Sequence, residues 1–225
     1  AFAIHDKKKD IVFLSRDRFG IKPLYFMEHA GTFYFGSEIK QLLYFIPNPK
    51  VNRQILFDYL YLSYHHHTNN TFFKGIQSLP HSHNVIYSIK DNSYSIDKYY
   101  NLKINPEYSK LSLENALQKH KELMSQSIRL RLRSDVKVGT CLSGGMDSSF
   151  IAASAAPIYK QKAKDNFTAI TAKSIEKKTD ESQYAKEIVD RYNLDWETTK
   201  PSKKDFLESV DEVIKLQEEP FGSPS

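Results

Sequence analysis

The stretch CLSGGMDSSF, residues 141–150, constrains the fold of this chain more than any other segment. It joins the apolar run of residues 136–142 to a run of small residues that is typical of a helix. Gly144 and Gly145 at such a turn leave room for an anion to approach the backbone, because glycine has no Cβ. The first N–H groups of the helix would point toward that anion. The stretch therefore predicts a phosphate-binding loop between a strand and a helix.

The polar side chains around the two glycines indicate what the loop binds. Ser143, Ser148 and Ser149 add hydroxyl donors, and Asp147 adds a carboxylate. A carboxylate beside a phosphate site is favourable only when a cation lies between them, and Mg²⁺ fits that role. No lysine follows the glycines, so the loop differs from the Walker-type sequence G-x-x-x-x-G-K-[ST]. The alternative is an ordinary turn in which a Ser or Asp side chain caps the helix.

The first half of the chain is predicted to be β-rich. Three pairs of apolar or alternating runs, each pair separated by a short polar turn, predict three β-hairpins. These pairs cover residues 1–5 and 11–17, 23–29 and 32–37, and 84–89 and 94–100. Two short helices are expected between the second and third pairs, one capped by Ser37 and the other by Asn52.

The second half is predicted to alternate helices with strands. The expected helices cover residues 113–133, 148–156, 180–192 and 205–216. The expected strands cover residues 136–142, 166–172 and 196–199. Pro157 is expected to end the second helix, and Asp180 or Thr179 to cap the third. Because this alternation is typical of a parallel sheet, we predict an α+β domain followed by an α/β domain, joined around residues 101–112.

Longer segments resemble those of a known enzyme family. LSGGMDSS alone resembles the loop of the PP-loop (ATP pyrophosphatase) synthetases, which split ATP between its α and β phosphates. The run RLRSDVKVGTCLSGGMDSS resembles that of glutamine-dependent asparagine synthetases, with Lys137 where the family often has proline. Further segments of this family are similar to SRDRFGIKPLYF, FGSEIKQLL, TFFKGIQSLP, DESQYAKEIVDRYNLDWE and EEPFGSPS, whereas HSHNVI departs from the family pattern.

The resemblance implies two domains and one overall reaction. Residues 1–104 would be the C-terminal part of an N-terminal-nucleophile glutaminase (glutamine amidotransferase type 2) sandwich. Residues 105–225 would be the N-terminal part of an adenine nucleotide α-hydrolase-like PP-loop domain. The full-length protein would use glutamine-derived ammonia, ATP and Mg²⁺ to convert aspartate to asparagine through β-aspartyl-AMP.

The family's binding residues transfer to this chain position by position. The pyrophosphate and Mg²⁺ loop would comprise Ser143, Gly144, Gly145, Asp147 (the metal ligand), Ser148 and Ser149. The adenine would lie against the backbone at Cys141 or Leu142, and at Ile170. The family's cysteine nucleophile, glutamine-binding residues and catalytic lysine would fall outside residues 1–225. We therefore expect a fragment that is inactive by itself, and we predict no catalytic residue in it.

The composition limits the compartment and the partners. Of 225 residues, 40% are hydrophobic and 26% are charged, and the net charge of +5 is dispersed, which argues against nucleic acid as a partner. A single cysteine excludes an internal disulfide framework, and no apolar run approaches the roughly 20 residues that span a bilayer. We therefore expect a cytoplasmic protein that binds small molecules and does not bind a membrane. Whether it forms a homodimer is left open.

Two other features have alternative interpretations. His65, His66 and His67, together with His81 and His83, raise the alternative of a zinc site. We expect none there, because no cysteine is near and consecutive histidines point in different directions. Cys141 is expected to be a buried structural thiol.

Two alternative functions also remain. The acceptor carboxylate could be another one, as in a sugar-acid amidotransferase or a β-lactam-forming synthetase. The chain could also belong to a non-catalytic module that binds nucleotide.

Overall fold

A computed structural model describes residues 1–176 and 178–221, which fall into two compact units. Unit 1 comprises Ala1–Lys103 together with the residues from Asp211 onward, and unit 2 comprises Ile104–Val210. Within the described residues, no helix has the length and apolarity needed to cross a membrane.

Unit 1 contains seven strands and two complete helices among its described residues. The strands are β1 Phe2–Asp6, β2 Ile11–Ser15, β3 Tyr25–His29, β4 Thr32–Gly36, β5 Gln77–Ser78, β6 His83–Ser88 and β7 Ser93–Lys98. The helices are α1 Ile39–Leu43 and α2 Arg53–Leu62. One antiparallel sheet has the order β1-β2-β6-β7, and the other has the order β4-β3-β5. The three predicted hairpins are therefore confirmed.

The core of unit 1 has two layers because neighbouring residues of β3 point to opposite faces of its sheet. Phe26 packs with Leu14 and Val85 of the four-stranded sheet. Met27, on the other face, packs with Ile39 and Leu42 of α1. The unit is thus two sheets face to face with a helix outside the smaller one.

The turn after β2 is held by one carboxylate. Asp17 accepts hydrogen bonds from the backbone N–H groups of Phe19, Ile21 and Lys22 at 2.9–3.2 Å. Burial alone would raise the pKa of this carboxyl, but the three N–H donors outweigh it and lower the pKa to about 2. The turn therefore depends on an ionised Asp17.

Helices alternate with strands through unit 2, as predicted, and the last helix continues past Val210 into unit 1. The elements are α3 Leu113–Arg131, β8 Gly139–Cys141, α4 Met146–Ala163, β9 Thr168–Ala172, α5 Ser182–Tyr192, β10 Asp195–Thr199 and α6 Lys203–Gln217. The strands form a parallel sheet in the order β10-β9-β8. One residue of α3, the Leu132 that follows it, four residues of α4 and two of α5 pack with Leu142, Phe167, Ala169 and Leu194 in one buried cluster. This mixed α/β architecture confirms the coarse fold prediction.

Three predicted helix boundaries are wrong. Glu38, and not Ser37, occupies the cap position of α1, where its N–H donates to the side chain of Gln41 at 3.1 Å. Pro157 lies inside α4 and does not end it, because the helix continues far enough to bury Tyr159 in the core.

The third wrong boundary is the start of α5. Glu181 occupies its cap position. Asp180, one residue earlier, accepts a hydrogen bond from the N–H of Ser182 at 3.2 Å. By contrast, the predicted cap of α2 is confirmed, since the side chain of Asn52 accepts from the N–H of Ile55.

Candidate functional site

Residues 142–145, the glycine loop, connect β8 to α4 in unit 2. The neighbouring strand holds both backbone groups of Leu142. Its N–H donates to Ile170 O at 2.8 Å, and its carbonyl accepts from the hydroxyl of Thr171 at 2.7 Å. Thr171 is 1% exposed, and its hydroxyl also accepts from Trp196 Nε1 at 2.9 Å. The start of the loop is therefore fixed from within the core.

Two serine hydroxyls close the loop into a ring of hydrogen bonds. Ser143 Oγ accepts from Gly145 N at 3.2 Å and lies 3.0 Å from Ser148 Oγ. Ser148 Oγ accepts from Ser143 N at 3.3 Å and donates to Gly145 O at 3.2 Å. Either hydroxyl can be the donor in the contact between the two serine oxygens.

The two glycines meet different demands. Gly144 has a φ of +93°, and a Cβ added there would lie 2.7 Å from Glu181 O and 3.0 Å from Ala185 N. Gly145 has an ordinary φ of −67°, and a Cβ added there would meet only Ser143 Oγ, at 3.4 Å, among the described residues. The fold itself therefore requires Gly144, whereas Gly145 borders open space.

The helix that follows the loop starts without a side-chain cap. Gly145 occupies the cap position and has no side chain, and no other side-chain oxygen among the described residues accepts the first N–H groups of α4. Asp147 lies exposed in the first turn, and in the described part of the chain its carboxylate has no ion-pair or hydrogen-bond partner. Unsatisfied N–H donors beside an unpaired carboxylate fit an anion and a cation bound together.

Ser149 is placed apart from this ring. Its N–H donates to Gly145 O at 3.0 Å as part of the helix, and its side chain is half-buried in the first turn of α4. The structure thus brings Ser143, Gly145 and Ser148 together and leaves Ser149 at the margin.

The residues predicted near an adenine lie on two faces of the sheet. Cys141 and Ile170 are register partners in the β8–β9 pair, and both are exposed, Ile170 by 46%. Leu142 is 1% exposed on the opposite face, toward the core. The prediction of a buried Cys141 is therefore wrong, because β8 ends the order of its sheet and the Cys141 side chain points away from the core.

Sequence reasoning missed the support that Thr171 and Trp196 give to the loop. The available signal was the alternation of β9, in which Ala169 and Thr171 occupy the buried positions. A hydroxyl on a buried strand face needs a partner, and here that partner is the residue before the loop.

Unit 1 contains a second candidate region, a cavity of about 470 Å³ whose lining includes Arg16, Tyr25, His67, Ser78 and Glu219. Arg16 is a structural residue, since its guanidinium donates to Ser78 Oγ and to three backbone carbonyls. Burial lowers the pKa of Arg16. Burial also raises the pKa of Tyr25, and the negative charge of Glu219 adds to that effect.

Two histidines of the run 65–67, of which His67 lines this cavity, have contacts of their own. His67 Nε2 lies 2.9 Å from Asp58 Oδ2, and the ring of His65 packs edge-on against Tyr59. His65 Nε2 is buried and has no hydrogen-bond partner among the described residues. Within residues 1–176 and 178–221, no group of three or more His, Cys, Asp or Glu side chains is arranged to hold a metal ion.

Comparisons with protein families match both halves of the chain. The model for asparagine synthase matches residues 119–225, and the model for a glutamine amidotransferase domain matches residues 1–100. We refer to these ranges as the synthase match and the amidotransferase match.

Curated relatives agree with these matches. The chain is 31% identical, over its whole length and 43% of the relative, to "Putative asparagine synthetase (glutamine-hydrolyzing) 2" of Methanocaldococcus jannaschii. It is 35% identical, over 73% of the chain and 26% of the relative, to "Asparagine synthetase (glutamine-hydrolyzing) 3" of Bacillus subtilis. It is also 26% identical, over 98% of the chain and 34% of the relative, to "Amidase chry2" of Gibberella zeae. The chain spans less than half the length of each of these relatives.

Proposed function

Because the chain belongs to the family of glutamine-hydrolysing asparagine synthetases, we propose that the full-length protein converts aspartate to asparagine with ATP and glutamine. We assign residues 1–104 to a glutaminase domain of the N-terminal-nucleophile type. We assign residues 105–225 to a PP-loop domain that binds ATP. The order of the two family matches along the chain supports this division. No residue of this chain is assigned as a catalytic acid, base or nucleophile.

The single observation that carries the proposal is the uncapped start of α4 beside Gly145. The α4 N–H groups would hold the phosphates of ATP that leave as pyrophosphate, and the hydroxyls of Ser143 and Ser148 would turn from their bonds within the loop toward the same oxygens. Gly145 supplies the clearance, and Gly144 supplies the bend that directs the loop. Ser149 borders this site from the first turn of the helix. Donors fixed before the reaction stabilise negative charge that develops on a leaving group without the cost of reorienting solvent.

Asp147 is the residue that would hold Mg²⁺. Its carboxylate is exposed, has no partner among the described residues, and lies one turn or less from the phosphate donors. When bound, Mg²⁺ neutralises charge on the phosphate oxygens. The contribution of this chain is to keep the carboxylate on a rigid helix next to the loop.

The adenine would contact the side chains of Cys141 and Ile170. Both backbone groups of Leu142 and the carbonyl of Ile170 are already engaged in hydrogen bonds. The adjacent exposed side chains of Cys141 and Ile170 instead offer an apolar surface for a planar base. We therefore assign adenine contact to these two side chains, with Leu142 holding the strand that carries one of them.

The chemistry explains why an ATP site and an ammonia source belong to one protein. A carboxylate is a poor acyl donor, so the β-carboxylate of aspartate first displaces pyrophosphate from ATP and becomes β-aspartyl-AMP. Ammonia from glutamine then attacks the acyl carbon and releases AMP, which leaves asparagine.

A second candidate is the amidation of a different carboxylate. The match to "Amidase chry2" over 98% of the chain favours keeping this candidate, because a relative with another printed name shares both halves. The ATP half-reaction would be the same, and only the acceptor would change.

Pyrophosphate exchange into ATP by the full-length protein distinguishes these candidates. Aspartate should support the exchange, while glutamate and other carboxylates should not. Exchange with another carboxylate and none with aspartate would favour the second candidate. The absence of exchange with every carboxylate, together with intact ATP binding, would favour a non-catalytic nucleotide-binding module.

A further inference from the structure

The two glutamates that follow α6, Glu218 and Glu219, lie in the synthase match but belong structurally to unit 1. Their carboxylates accept hydrogen bonds from backbone N–H groups of residues in the amidotransferase match. These contacts tie the end of α6 to elements from the first half of the chain. The function proposed above gives no role to either side chain.

Glu218 binds the start of α1 with both of its carboxylate oxygens. Oε2 accepts from Ile39 N and Oε1 accepts from Lys40 N, each at 2.8 Å. The side chain of Glu218 is only 9% exposed, and Lys40 Nζ lies 3.8 Å from Oε1. A carboxylate removed from water to this extent is stable only when charge and donors compensate it, as these three groups do. The contact is therefore specific, and both oxygens are used.

The backbone of Glu218 indicates that this contact offsets a conformational cost. Its φ is +65°, in the left-handed region that glycine adopts most readily at the end of a helix. Its N–H still donates to Ile214 O at 3.0 Å, so the residue terminates α6 in the usual way. A glycine would terminate the helix with less strain, but it would have no carboxylate to place on α1.

Glu219 extends the same contact to a second element. Its Oε1 accepts from Phe72 N at 2.7 Å, and its side chain forms part of the wall of the 470 Å³ cavity beside Arg16 and Tyr25. Two residues later, the carbonyl of Phe221 accepts from the hydroxyl of Tyr59 at 3.2 Å. The segment 218–221 is thus held at three places on the amidotransferase match.

We propose that Glu218 and Glu219 are positioning residues that hold the segment 218–221 against the residues of the amidotransferase match. They thereby couple glutamine hydrolysis to asparagine formation, so that the two products form in equal amounts. The inference rests on the proposed function, in which one half-reaction supplies the ammonia that the other consumes. Loosening a segment of the synthase match from the amidotransferase match then releases glutamate and ammonia without a matching amount of asparagine.

Five variants of the full-length protein test this role: Glu218→Ala, Glu218→Gln, Glu219→Ala, Glu219→Gln and, as control, Glu212→Gln. Glu212 is exposed on α6 and has no polar partner among the described residues. Each variant is assayed for glutamate and asparagine formed from glutamine, and for asparagine formed from ammonium chloride. Hydrogen exchange at the N–H groups of Ile39, Lys40 and Phe72 reports whether the segment is docked.

The same amide substitution should have opposite results at the two positions. Glu218 uses both oxygens, so glutamine places an NH₂ group against a backbone N–H; both Glu218 variants should raise the glutamate-to-asparagine ratio by roughly fivefold or more. Glu219 uses one oxygen, which glutamine retains, so Glu219→Gln should restore the ratio that Glu219→Ala disturbs. Synthesis from ammonium chloride should stay close to that of the control.

An unchanged ratio in alanine variants whose N–H groups exchange faster would overturn the inference and leave the contacts merely structural. If Glu218→Ala fails to fold, the Glu219 pair decides the outcome. A wild-type protein that makes no asparagine from ammonium chloride would refute the proposed function instead, so the two failures are distinguishable.

Discussion

Replacing the two adjacent glycines by alanine, one at a time, separates what the fold demands from what a ligand demands. At Gly144 the added Cβ has to accept a φ of +93° and a contact of 2.7 Å with a backbone oxygen of Glu181. At Gly145 it meets only Ser143 Oγ, at 3.4 Å, with an ordinary φ. The two variants differ by one position and add the same methyl group.

The magnitudes follow from these contacts. The left-handed conformation costs a residue with a Cβ about 1–2 kcal/mol, and overpacking typically costs about 1–3 kcal/mol more. Gly144→Ala should therefore lower the free energy of unfolding by about 2–5 kcal/mol. For a domain of about 150–250 residues, this corresponds to a decrease in Tm of roughly 4–20 °C. Gly145→Ala should change that free energy by less than about 0.5 kcal/mol, since its contact is ordinary. If phosphate approaches the backbone there, its ATP affinity should fall by roughly tenfold or more.

Thermal unfolding and calorimetric titration with ATP and Mg²⁺, both on the full-length protein, measure the two effects. Gly145→Ala should unfold like the wild type and bind ATP weakly, whereas Gly144→Ala should unfold early. Wild-type ATP affinity in Gly145→Ala would refute the placement of the phosphates. Wild-type stability in Gly144→Ala would refute the packing of the loop on α5.

Three further substitutions test separate contacts. Asp147→Asn should leave Tm unchanged and remove most of the Mg²⁺ dependence of ATP binding; retention of that dependence would exclude Asp147 as the ligand. Thr171→Val preserves volume but leaves Leu142 O and Trp196 Nε1 unpaired, so denaturant titration should show a loss of about 1–3 kcal/mol, and no loss would contradict the role of the hydroxyl. Asp17 has a pKa of about 2 in the fold against an ordinary 3.8. Its ionised carboxylate therefore stabilises the fold at pH values above 3.8, and this stabilisation is lost as the pH falls from 3.8 toward about 2. Asp17→Asn should therefore be less stable at neutral pH and should lack this acid-induced loss in unfolding curves; unchanged curves would refute the contribution.

The parts of the fold that depend on neighbouring residues could be predicted from the sequence. Alternation and polar turns predicted the three hairpins, and Asn52 predicted the start of α2. The helix and strand order of the second half likewise followed from apolar spacing and indicated the parallel sheet. Each of these signals operates within a few residues, where local hydrogen bonding and side-chain direction dominate.

The wrong predictions involve groups that are distant in sequence or depend on packing. The helix is capped locally by Glu38 with Gln41, and the N–H of Ile39 binds Glu218, 179 residues away, so the side chain of Ser37 is not the cap. Pro157 is accepted inside α4 because the next turn buries Tyr159, and the position of Cys141 depends on which strand lies at the end of the sheet.

The glycine loop combines both situations, because its proposed ligand contacts are local in sequence and its structural support is not. The groups that would touch a phosphate are consecutive, since a helix start presents N–H groups from successive residues. The groups that fix those residues come from β9, β10 and α5, as the contacts of Thr171, Trp196 and Glu181 show. Gly144 belongs to this second set although it stands inside the motif, because its missing Cβ faces α5. Gly145 therefore keeps its proposed role as clearance for a ligand, whereas Gly144 is a packing requirement that only the fold reveals.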